Sequence, residues 1–218
     1  MTSADSPDGF DLSPIEARVL GVLIEKGFTT PDQYPLSVNA LTTGCNQLTG
    51  REPVMSLSEA EVTDAIDSLH ARGLIGRREG ARVVKYEHLV RLRHSLPPAE
   101  QAVLALLMLR GAQTPGELRQ RTERMHRFDD IAAVLAVLEH LGEKYPPMVV
   151  MLPRAPGAKE ARYMHLMCGE IDVDAILAQT AAPSGGGGLG ARVEALEGEV
   201  AALRSELKAL KASLGESD

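Results

Sequence analysis

Apolar and polar residues follow one another in a helical rhythm that breaks at regular points. From Pro14 to Lys26 the apolar positions Ile15, Val19, Val22 and Leu23 recur at helical spacing. Ser13 stands where an N-cap belongs, Pro14 suits the first helical position, and Glu16 completes a capping box; Gly27 predicts the stop. A second helix is predicted from Val38 to Leu48, capped by Ser37, with Val38, Leu41, Cys45 and Leu48 as its buried stripe. A third runs from Glu59 to Arg72, capped by Ser58 with Glu61 closing the box, and stops at Gly73. Two short extended runs follow, Leu74 to Arg78 and Val83 to Glu87, separated by Gly80-Ala81-Arg82, which is a hairpin signal. Three helices and a β-hairpin is the order of a winged helix.

The same grammar recurs downstream. An offset of 84 carries Pro14 onto Pro98, Val19 onto Val103, Leu23 onto Leu107 and Gly27 onto Gly111. It also carries Thr30-Pro31 onto Thr114-Pro115. For the third helix the apolar match is at 69, Val62 onto Ile131 and Leu69 onto Leu138, which predicts fifteen extra residues in the first repeat. A second hairpin is expected from Met148 to Leu152 and Arg162 to Leu166. The expected fold is mainly α with small β-hairpins (α+β): a disordered N-terminus over 1–11, then winged-helix domains over 12–95 and 96–180. A Gly-rich linker over 181–190 and a coiled-coil helix over 191–215 follow.

The tail carries heptads. Val193, Val200, Leu207 and Leu214 fill one seam position and Leu196, Leu203 and Leu210 the other. With Val193 at a, Arg192, Glu199 and Glu206 face Glu197, Arg204 and Lys211 of a parallel copy with opposite charge at each pair. A parallel homodimer is the expectation. The glycines at 185, 187 and 190 match a dinucleotide-loop pattern, but no strand precedes them and no βαβ unit surrounds them.

Composition narrows the function classes. The chain has 218 residues, 44% hydrophobic and 24% charged, the profile of a globular protein of one or two domains. Aromatics are 3% with no Trp, which argues against single-strand binders that stack bases on aromatic rings. Two cysteines allow no disulfide framework, and the N-terminus carries three aspartates and no basic residue, unlike a secretory signal. No apolar run reaches the roughly 18 residues of a membrane span. A cytoplasmic location away from the membrane is expected. The net charge is −7, and no segment is strongly basic.

The stretch from Ala17 to Val62, with TTPDQYPLS, ALTTGCNQ and REPVMSLSEAEV, resembles the YceH-like family of bacterial proteins over roughly residues 12–180. The resemblance implies tandem winged helices and no established activity. Leu48-Thr49-Gly50 departs from the family, which has a more polar, lysine-containing triplet there, so no charge-based role carries over to that spot.

Candidate chemistry is sparse. The third helices, where a winged helix usually reads the major groove, carry Glu59, Glu61, Asp64 and Asp67 in one repeat and Asp129, Asp130 and Glu139 in the other. Such helices suit solvent or a partner protein better than phosphates. The first wing holds Arg77, Arg78, Arg82 and Lys85 against Glu79 and Glu87. It suits either a minor-groove backbone or simple protection of a sheet edge. Arg119, Arg121, Arg124 and Arg127 form a second basic cluster diluted by Glu117 and Glu123, a candidate for clamping nucleic-acid phosphates or else an exposed helix and loop pairing with its own acids. The second helix has a polar uncharged face, of which Asn39, Thr43, Asn46 and Gln47, with Arg51 beyond, are candidates for gripping a partner or for fixing the loop that follows. His165 and Cys168 have ligand-like spacing but no second pair, so neither a metal, a cofactor nor catalysis is expected. The function expected is a DNA-associated regulator contacting duplex phosphate through its basic wings; the alternative, which the acidic third helices favour, is a protein-interaction module that does not bind DNA.

Overall fold

The computed structural model describes residues 10–79, 83–154, 158–169 and 171. Arg82, the 181–190 linker and the heptad helix with its seam from Val193 to Leu214 lie outside the described residues. The fold is mixed α and β, with two small antiparallel hairpins. Its elements run α1 (Pro14–Thr29), α2 (Val38–Cys45), α3 (Glu59–Ala71), β1 (Ile75–Arg78), β2 (Lys85–His88), α4 (Val90–His94), α5 (Pro98–Arg110), α6 (Pro115–Arg121), α7 (Ile131–Glu143), β3 (Val149–Met151) and β4 (Tyr163–His165). Helix, helix, helix and hairpin therefore occur twice. In each copy a backbone segment before the second helix also bridges the hairpin, Leu36 to Tyr86 and Gln113 to Tyr163.

The capping boxes form as the sequence predicts. Ser13 Oγ accepts from the Glu16 N–H while Glu16 accepts from the Ser13 N–H, and Ser58 and Glu61 do the same for α3. Thr114 and Glu117 make a third box on α6. Thr114 is thus the counterpart of Ser37, which caps α2, and not of Thr30.

Burial also corrects the register of the third helices. An offset of 72 carries Ser58 onto Asp130, both N-caps, and Val62, Ile66 and Leu69 onto Val134, Leu138 and Leu141, all buried. The match at 69 puts Ile131 and Leu135 in the core, yet they are 44% and 40% exposed. The offsets fall from 84 to 77 to 72, so the first repeat carries twelve extra residues rather than fifteen, seven before α2 and five after it.

Three boundaries move for local reasons. α1 runs through Gly27 to Thr29, because Tyr34 and His88 pack beside that glycine and the Thr29 and Thr30 hydroxyls donate to the carbonyls of Glu25 and Lys26. α2 stops at Cys45, because the Asn46 amide leaves the helix to bond both the N–H and the C=O of Leu57. Leu48, expected in the buried stripe, is therefore 81% exposed. The N-terminal segment joins the fold before residue 12: Phe10 is buried edge-on to His94, and its carbonyl accepts from Arg72.

One continuous core serves both repeats. α1 and α5 pack against each other, so Glu16 to Ile24 and Glu100 to Leu109 are buried on every face rather than along a stripe. Gly21 permits that approach, since a Cβ there would lie 3.0 Å from Leu109 Cγ. At the α1–α2 contact the fit is tighter: a Cβ on Gly44 would come within 2.7 Å of Val22 Cγ1. Gly44→Ala is expected to destabilise the fold by about 1–3 kcal/mol by overpacking. An unchanged urea midpoint would show that α2 shifts freely. Among the described residues no helix is long and apolar enough to cross a membrane.

Candidate functional site

Of the wing arginines, Arg77 and Arg78 are occupied. Arg78 forks onto the Glu87 carboxylate across the hairpin at 2.8 and 3.2 Å, and Arg77 pairs with Glu79 at 3.3 Å. Exposed pairs of this kind contribute little to stability, but they neutralise the charge a phosphate would meet. Lys85 is half-buried.

The second basic cluster divides in two. Arg119 donates to the carbonyls of Phe128 and Asp129, which ties the segment after α6 back to that helix. Arg121 donates to Gln113 and Glu117. Arg124 and Arg127 are exposed and have no hydrogen bond or ion pair among the described residues.

The polar face of α2 is spent largely on its own chain. Asn39 donates to Glu59, the Thr43 hydroxyl donates to the Asn39 carbonyl, and Asn46 holds Leu57. Arg51 is buried, donating to the carbonyls of Gly44 and Gly50 and to both oxygens of Glu25. Of that set Gln47 alone reaches a cavity without a hydrogen bond among the described residues.

The third helices differ sharply. α3 exposes Glu59, Glu61, Asp64 and Asp67. The Glu61 carboxyl is held below its ordinary range by its bonds to the Ser58 N–H and hydroxyl. α7 exposes Ile131, Ala132, Leu135 and Ala136 in its first half and Glu139, His140 and Glu143 in its second, and β3, packed beside it, exposes Val150 and Met151.

His165 and Cys168 are not brought together as ligands. The His165 ring is buried, and its Nδ1 accepts from the Met167 N–H. Burial lowers the imidazole to about 4 and raises the Cys168 thiol to about 11. Among the described residues no group of three or more His, Cys, Asp or Glu side chains is placed to hold a metal ion.

A cleft of about 440 Å³ unites two groups that looked unrelated in the sequence. It lies between the end of α1, the loop after α2, the end of α5 and the turn after α6. Lys26, Arg51, Arg110, Arg121 and Arg124 line it, and the one acid among its lining residues is Glu25. Arg110 escaped the sequence reading because a basic residue in the last turn of a helix needs no other explanation. Its approach to Arg121 and Arg124 comes from the packing of α5 on α6 within the second repeat, and the packing of the two repeats adds Lys26 and Arg51.

Residues 12–158 match the family described as a protein of unknown function, DUF480. A UPF0502 protein of Azoarcus sp. is 66% identical over 215 residues, 97% of this chain and 95% of that one. The UPF0502 protein of Leptothrix cholodnii is 50% identical over 213 residues, 94% of this chain and 96% of its own. The UPF0502 protein YceH of Salmonella agona is 52% identical over 217 residues, 95% and 99% of the respective chains. With that coverage and the helical and hairpin elements above, this chain belongs to the DUF480 (UPF0502) family, whose function is not established.

Proposed function

We propose that this chain is a non-catalytic tandem winged-helix protein whose third helices face other proteins rather than DNA. The observation carrying this reading is the outward surface of those helices. α3 offers four carboxylates, α7 offers four apolar side chains in its first half with Glu139, His140 and Glu143 beyond them, and neither presents an Arg, Lys, Asn or Gln toward a base edge. Carboxylates repel phosphate, and an apolar helix face gains most by burial against another protein. The heptad tail supports a parallel homodimer; removing residues 183–218 is then expected to lower the sedimentation mass on dilution.

The test is binding by the intact protein. Duplex DNA at low salt is expected to give no detectable binding. Tagged protein recovered from its own cells is expected to carry a stoichiometric protein that Leu135→Glu loses. Binding of duplex that is abolished by changing Arg77, Arg78, Arg82 and Lys85 to Ala would overturn the reading. It would establish a second one, phosphate contact through the wing, which draws support from Lys85 having no bonded carboxylate among the described residues. On that second reading Glu61→Ala with Asp64→Ala strengthens binding, and the four wing changes flatten its salt dependence.

A further inference from the structure

The cleft between the repeats concentrates positive charge in a chain whose net charge is −7. Its lining carboxylate, Glu25, is already taken: Arg51 bonds it at 2.6 Å and Lys26 approaches at 3.6 Å. Arg121 shares Glu117 on its other side. Arg110 makes no hydrogen bond or ion pair among the described residues, and its Nε is buried without a partner. Arg124, on the exposed lip, likewise bonds nothing among the described residues.

The loop opposite makes room for this arrangement. Gly50 has φ +74°, and a Cβ there would lie 3.1 Å from Arg110 Nη2. The backbone thus passes against the guanidinium where a side chain would displace it. Burial first, with Arg121 and Arg51 adding to it and Glu25 and Glu52 opposing it, holds the Arg110 guanidinium below its ordinary range. Like charges converging in a partly desolvated cleft repel one another, and a bound anion relieves that repulsion while supplying the missing acceptors.

We propose that this cleft binds a small organic molecule bearing two or more phosphate charges, held by Arg110 and Arg124, with Lys26 completing the cationic wall. Leu48, left exposed by the early end of α2, and Met125 supply apolar surface for the remainder of such a molecule. The volume lies within the range of small-molecule sites. The same phosphate chemistry also occurs on a nucleic-acid backbone, but a duplex is a convex rod. Its phosphates reach the lip at Arg124 more readily than the recessed Arg110. The proposal is independent of the protein-facing reading of α3 and α7.

The experiment is calorimetric titration of the full chain with inorganic pyrophosphate, ADP and a short DNA duplex at matched ionic strength, with thermal melts in parallel. Arg124→Gln is the first variant, because Arg124 bonds nothing among the described residues and its loss leaves the fold intact; Arg110→Met is the second, and exposed Arg154→Gln is the charge-matched control. Pyrophosphate or ADP is expected to bind one per chain and to raise the melting temperature. Each cleft variant is expected to weaken that binding about tenfold or more, since each removes a charge-assisted contact, while the control leaves it unchanged. No binding of either small anion, or equal binding by Arg124→Gln and wild type, would overturn the proposal. Duplex binding that depends on Arg124 and is not displaced by ADP would also overturn it, assigning the charge to nucleic acid instead.

Discussion

Arg18→Ala is expected to destabilise the fold by about 3–5 kcal/mol. Arg18 lies in the middle of α1, is 1% exposed and carries its guanidinium into the first repeat. Nη1 donates to the carbonyl of Cys45, the last residue of α2, at 3.1 Å, and Nη2 donates to that of Pro53 at 2.7 Å. The side chain therefore holds the end of α2 and the inserted loop against α1. Alanine leaves two carbonyls without a donor and opens a cavity where a long side chain lay. Removing a cation that burial and Arg51 already hold below its ordinary range offsets part of this, but the unpaired carbonyls dominate. Arg18→Lys is expected to rescue little, because a single ammonium does not span two divergent acceptors as a guanidinium fork does. Urea unfolding of both variants provides the measure. A loss below about 1 kcal/mol for alanine would show that the loop is held by Asn46 and Arg51 alone.

Stability is expected to fall steeply between pH 6.5 and about 4, because His88 and His165 are buried as neutral rings. Burial lowers both imidazoles from 6.5 to about 4. In the unfolded chain each takes up a proton below its ordinary value, whereas the folded chain resists until about 4. The stability that the neutral rings confer is therefore complete above pH 6.5, is lost as the pH falls through the window, and changes no further below it. The slope is about 1.4 kcal/mol per pH unit for each ring, or about 2 kcal/mol per ring by pH 5. His165 has a further reason to stay neutral, since protonating Nδ1 removes the acceptor of the Met167 N–H. Urea unfolding at pH 7, 6 and 5 checks this. His165→Asn, which keeps a nearby acceptor, is expected to remove about half of the pH dependence. A wild-type stability flat from pH 7 to 5 would mean that these rings reach solvent.

The division between chain and fold is clearest in residues of similar chemistry with different fates. Ser13 with Glu16 and Ser58 with Glu61 were legible because a capping box closes within four residues and needs no tertiary partner. The hairpins were legible for a related reason, as short extended runs around a break pair with their nearest neighbours. In the sequence the polar face of α2 suits either partner binding or loop fixing. The bonds from Asn46 to Leu57 and from Arg51 to Gly44 and Glu25 commit those groups within the chain.

The sequence by itself determined the starts of α1, α2, α3 and α5 and the repetition of helices and hairpin, which follow from contacts within a few residues or from periodicity; the starts of α6 and α7 came only from the structure. Only the tertiary structure decided which apolar positions are core. Ile131 and Val134 are equally apolar, and what separates them is which side of α7 meets the rest of the fold. It likewise decided that α1 and α5 bury every face, because each is covered by the other repeat as well as by its own. The cleft belongs wholly to that level. Arg110 and Arg124 come together within the second repeat, and Lys26 of the first joins them in one cationic wall because the two repeats share a single core.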